Sequence, residues 1–70
     1  MEEWKERLKA EYNELKQRTL KLNNILTRHT NGTLDFELNC PVELLFSQYH
    51  IMCAYLKILE NRCNIEGVKL

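Results

Sequence analysis

The stretch "CPVELLFSQYHIMCAYLKILENRCNI", residues 40–65, carries two apolar stripes where a surface helix usually carries one. Val42, Leu45, Tyr49, Met52, Leu56, Leu59 and Cys63 step by three and four along the first. Leu44, Gln48, Ile51, Tyr55, Ile58, Arg62 and Ile65 step the same way along the second. Together they make an apolar face about twice the usual width. The helix is expected over about residues 41–66. Pro41 suits the first helical position, where its missing N–H costs nothing. Asn39 or Cys40 would cap it, with Glu43 reaching back. Gly67 is expected as a left-handed C-cap.

The stretch before it can cover one of those stripes. From Glu2 to about Arg28 there is no Gly or Pro, and Glu, Lys, Leu and Arg dominate. Leu8, Tyr12, Leu15, Thr19, Leu22, Leu26 and His29 form a single narrow seam, with Trp4 and Ile25 beside it. Glu2, Glu3 and Glu6 oppose the positive end of the helix dipole. Glu11, Glu14, Lys16 and Arg18 are spaced for pairs worth a few tenths of a kcal/mol each. "HTNGT" then makes a turn at Gly32, and Leu34, Phe36 and Leu38 alternate with polar residues through a connector over about residues 29–40. The connector is expected to lay those three side chains over the open end of a helix pair. The alternative is an edge strand pairing with a second copy.

The fold class is therefore all-α: one antiparallel two-helix hairpin with a short extended connector. One seam covers one stripe, so Leu44, Ile51, Tyr55, Ile58 and Ile65 are expected at a homo-oligomer interface. Each aliphatic side chain is worth roughly 1.5–3 kcal/mol on full burial, and monomers seldom expose so large a patch. A four-helix dimer or a larger ring of hairpins would hide it.

Composition narrows the partners. The 70 residues hold ten Lys/Arg and ten Asp/Glu, so no net field draws the chain to DNA or to an anionic membrane. Residues 1–28 carry seven basic and five acidic side chains, and residues 29–70 carry three and five. Acidic residues interleave the basic ones along the first helix, which disfavours duplex DNA. No run reaches the ~18 apolar residues of a membrane span, and the charged start lacks a signal-peptide core. The odd cysteine count (Cys40, Cys53, Cys63) makes no disulfide framework. A reduced, cytosolic protein is expected.

Chemistry-bearing clusters are sparse. His50 and Cys53 lie three apart, but a zinc site wants four ligands. No oxyanion nest or glycine-rich phosphate loop accompanies them, so neither a metal, a cofactor nor catalysis is expected. Arg18, Lys21 and Arg28 make the end of the first helix basic. Arg62 interrupts the second stripe, and a charge buried there needs a partner. A structural pair between subunits, with Glu66 or Glu60 of another copy, would satisfy it. The functional reading gives Arg62 and the basic end an anion at a subunit junction, with Tyr49 and Tyr55 stacking a planar ligand.

Pro41, Leu44, Leu45, Gln48, Met52, Tyr55, Leu56, Leu59 and Arg62 resemble a pattern in small, mostly uncharacterised proteins of tailed phages and prophages, including crAss-like phages. The amino-terminal "EEWKERLKAEYNELKQRTLKL" is similar in style to their first helix. Cys53 and Cys63 depart from the pattern. The resemblance implies a non-enzymatic phage accessory protein in the cytoplasm of the bacterial host. The expected role is counter-defence, by sequestering a small anionic ligand such as a nucleotide immune signal. Alternatives are inhibition of a host defence enzyme by protein binding, or a structural or assembly role.

Overall fold

The computed structural model describes residues 3–70. Helix α1 spans Glu3–Thr30 and helix α2 spans Val42–Glu66. They pack antiparallel, and no strand occurs among the described residues. Their 28 and 25 residues rise about 42 and 38 Å at 1.5 Å per residue, so the helices match in length. The expected start at Glu2 lies outside the described residues.

Both helices stop for the same reason. Gly32 and Gly67 each adopt φ 73°, which L side chains resist. At the end of α1 the Thr33 amide donates to the Arg28 carbonyl at 2.8 Å, and the Gly32 amide to His29 at 3.1 Å. At the end of α2 the Val68 amide donates to Cys63 at 2.8 Å, and the Gly67 amide to Asn64 at 3.4 Å. Each is a Schellman closure that satisfies carbonyls left open by the last turn. Val68 also packs on the core cluster next to Cys63.

The start of α2 differs from expectation. Pro41 sits at the N-cap with ψ 136°, not at the first helical position, and no side chain caps the helix. Neither Asn39, Cys40 nor Glu43 fills that role. The Pro41 carbonyl instead receives the Leu44 and Leu45 amides at 3.1 and 3.4 Å. Having neither N–H nor side-chain acceptor, proline marks the boundary only through its fixed φ.

The seam meets the first stripe as its spacing requires. Leu8, Leu15, Leu59 and Cys63 form the buried cluster, and Tyr12, Met52 and Leu56 pack on it. Leu26 and Thr19 are buried further along α1, while His29 is exposed. The Thr19 hydroxyl donates to the Leu15 carbonyl at 2.7 Å, so the buried hydroxyl is satisfied. The core is one side chain thick.

The connector is only half folded in. Leu34 and Leu38 are partly buried, but Phe36 remains exposed, against the expectation that all three cover the helix ends. Among the described residues the connector pairs as a strand with no other segment of the chain; the edge-strand alternative concerns pairing with a second copy. Arg28 holds the connector instead: its guanidinium lies 3.5 Å from the Asp35 carboxylate and 3.5 Å from the Thr33 carbonyl.

The resulting rod measures 46 × 18 × 17 Å, with a radius of gyration of 15.0 Å. A compact chain of this length would have about 11 Å. Its surface is 5442 Å². A folded monomer of this mass typically exposes about 4,600 Å². The difference, roughly 800 Å², is about what one partner buries in a standard protein–protein interface.

Candidate functional site

The second stripe of α2 lies in the open. Ile65 is 82% exposed, Ile51 70%, Leu44 59%, Ile58 55% and Tyr55 40%. Gln48 and Arg62, the polar members, are exposed too. These seven residues share one side of α2 because their spacing follows the helical repeat. α1 is fully occupied by the first stripe and leaves them uncovered.

One hydrogen bond extends this face onto α1. The Tyr55 hydroxyl donates to a carboxylate oxygen of Glu11. Trp4, Glu11, Arg18 and Ile25 recur every seven residues and so share one flank of α1. The Tyr55–Glu11 bond places that flank beside the stripe. Trp4 is exposed and Ile25 half-buried. The open face therefore spans both helices: Trp4 and Ile25 at its ends, five apolar residues of α2 along its length, and Glu11, Arg18 and Arg62 set into it.

The electrostatics centre on Tyr55. Its hydroxyl titrates above the usual tyrosine range, first because it donates to Glu11, then through partial desolvation and the Glu11 charge. The Arg62 guanidinium pulls the other way, so Arg62 acts on the same hydroxyl. Glu11→Gln removes the carboxylate and is expected to lower the Tyr55 midpoint. A spectrophotometric tyrosine titration of the variant against wild type reads this directly; an unchanged titration would show that the bond does not persist in solution. Because the raised pKa reflects preference for the neutral phenol, the contribution of this bond is present at neutral pH. It is lost as pH rises through the shifted value.

The cations divide into two groups. Arg18, Lys21 and Arg62 are exposed and have no ion pair within 4.0 Å among the described residues. Within the chain Arg62 meets neither Glu60 nor Glu66; Glu60 pairs with Lys57 at 3.3 Å. Arg28 is already engaged by Asp35. Among the described residues, none of the pairs expected from Glu11, Glu14, Lys16 and Arg18 forms; Arg7 and Glu3 come within 4.0 Å instead. Arg62 and Arg28 sit at opposite ends of the hairpin. Leu8 packs in one cluster with Cys63, whereas Leu26 and Thr30 border Phe46 and Tyr49. One copy alone cannot bring both to one small ligand.

The two tyrosines also separate. Six residues turn a helix by roughly 240°, so Tyr49 and Tyr55 occupy different sides. Tyr49 is half-buried, its ring edge-on to His50 with centroids 5.8 Å apart. The neighbouring Cys53 thiol, then partial desolvation, pushes its hydroxyl above the ordinary range. Two tyrosines of one copy therefore do not clamp a single ring. All three cysteines are free, with Cys63 fully buried. No group of three or more His, Cys, Asp or Glu that could hold a metal occurs among the described residues. No described helix is long and apolar enough to cross a membrane.

Periodicity alone exposes the second stripe. The role of Glu11 was hidden, because an acidic residue on a flank reads as solvated. The seven-residue row it shares with Trp4, Arg18 and Ile25 is the signal that could have found it.

These features define a class: a small all-α helical hairpin with a thin core, whose distinguishing surface is an open face crossed by cations that have no ion pair among the described residues. The Sequestin family matches residues 2–65, and the chain belongs to that family. The family name suits a sequestering role, binding rather than catalytic. No curated protein and no solved structure matches the chain.

Proposed function

We propose that the chain is a phage accessory protein that counters host defence in the bacterial cytoplasm. It does so without catalysis, by sequestering a small anionic ligand, such as a nucleotide immune signal, at junctions between its own copies. The observation that carries this reading is the open face, with Arg62 unpaired inside an apolar stripe.

A second hairpin laid antiparallel on that face hides the stripe and builds the junction. The stripe runs from Leu44 to Ile65, so its midpoint falls at Tyr55. A two-fold axis there sets Ile51 of each copy near the Tyr55–Ile58 turn of the other. Arg62 lies seven residues from the axis, about 10 Å along the helix. It comes level with Gln48 of the other copy, and so with the part of α1 that carries Lys21. Arg18 lies between that level and the axis. Each two-fold pair thus has two junctions where cations from both copies meet beside Tyr55. Guanidinium groups bind phosphate oxygens bidentately, and the dry border raises the worth of each contact. Sequestration then works by mass action, since bound signal is withdrawn from its receptor.

Calorimetry against a panel of cyclic and linear nucleotides tests the proposal. At least one is expected to bind with defined stoichiometry per pair of copies; no binding to any, with the assembly intact, contradicts it. Arg62→Ala is expected to leave the assembly in place and weaken the bound nucleotide by roughly tenfold or more, the scale of a lost charge-assisted contact. A weakened assembly would instead assign Arg62 to a structural pair between copies.

A further inference from the structure

We infer that a recess on the opposite side of the hairpin binds a small, neutral heteroaromatic ring. Residues two apart on a helix are roughly 200° apart. Phe46 and His50 therefore point away from Leu44 and Gln48, and away from the face that a second copy would cover. Between them and α1 lies a concavity of about 270 Å³.

Its two walls differ in chemistry. Phe46, Tyr49 and His50 make an aromatic wall on α2, and Asn23 and Thr27 on α1 with Asn31 in the turn after it make a polar wall. Leu26, almost fully buried, borders the recess between them. Among the described residues, no side-chain hydrogen bond within the chain uses Asn23, Thr27, Asn31 or His50. Their donors and acceptors are available to a ligand. An aromatic wall takes the face of a planar ring, and amides and hydroxyls opposite take its polar edge.

The lining sets the class of ligand. It contains no Lys, Arg, Asp or Glu, so nothing there balances a phosphate or an ammonium. The volume falls just below the ~300–1,000 Å³ that holds drug-sized ligands. A one- or two-ring heterocycle with a small substituent fits, of which an unphosphorylated nucleoside is the simplest probe. The recess is complete in one copy, holds Tyr49, and shares no residue with the proposed Arg62 junction.

The test is a titration of the full chain with adenosine, guanosine, cytidine and uridine, followed by amide NMR. At least one nucleoside is expected to shift Asn23, Tyr49 and His50 saturably. Phe46→Ala and Asn23→Leu, both at exposed positions, are each expected to weaken that binding about tenfold. Toluene, which lacks a hydrogen-bonding edge, is expected to bind more weakly. The binding is expected to survive in Arg62→Ala, which separates this site from the proposed junction. The inference is overturned if no nucleoside shifts these residues up to millimolar concentration, if neither substitution weakens binding, if toluene binds as well, or if Arg62→Ala abolishes it.

Discussion

Replacing Ile51 and Ile58 together by aspartate is expected to strip the hairpin of its partner. Both side chains are more than half exposed within the chain, so neither substitution disturbs the Leu8–Leu15–Leu59–Cys63 cluster. At an exposed position such a change normally stays within about 0.5 kcal/mol. Across a two-fold interface the same pair places four carboxylates in apolar contact. Each would need desolvation at several kcal/mol or a displaced interface. The expected outcome is a fall in association of at least a thousandfold, about 4 kcal/mol. Sedimentation velocity at micromolar concentration reads it, with far-UV circular dichroism following the helices. Unchanged mass would show that the stripe is not where copies meet.

Leu59→Ala should have the largest effect on folding. Leu59 is fully buried at the centre of a core one side chain thick. Truncation removes apolar burial and leaves a cavity that long helices cannot readily close, at a cost of about 2–5 kcal/mol. A chain of this length has a total stability of only about 4–10 kcal/mol. The variant should therefore lose much of its resistance to urea, seen as a lower midpoint at similar slope. Ile65→Ala, at the most exposed apolar position, is the matched control. It should leave the hairpin nearly as stable and weaken only its association. If the two variants melt alike, Leu59 does not anchor the core.

How far the sequence revealed this arrangement depends on the length scale of each feature. The two stripes of α2 were legible because the helical repeat alone decides which residues share a side. The single seam of α1 was legible for the same reason, and the mismatch of one seam with two stripes follows by counting. Gly67 was legible because few residues tolerate its conformation. Pro41 was misplaced by one residue, since a fixed φ is compatible with both the cap and the first helical position. Phe36 was expected under cover, but alternation gives only relative sides. It cannot say whether the far side meets protein. The Tyr55–Glu11 bond and the Arg28–Asp35 clasp join residues 44 and seven apart across different elements. Local pattern can place Glu11 in a row with Trp4, Arg18 and Ile25, but it does not name the partner on the other element. The separation of Arg28 from Arg62 follows from antiparallel packing, and it is the reason a site using both would need two copies, as a subunit junction provides.

The solution mass of the wild-type protein, measured by light scattering across a concentration series, decides whether the open face is an interface between copies. One chain is 8.4 kDa. The expected result is twice that mass or a higher even multiple, constant down to micromolar concentration. A species of single-chain mass up to millimolar concentration would contradict it. The stripe from Leu44 to Ile65 would then be wet, and no junction would bring Arg62 to the basic end of α1.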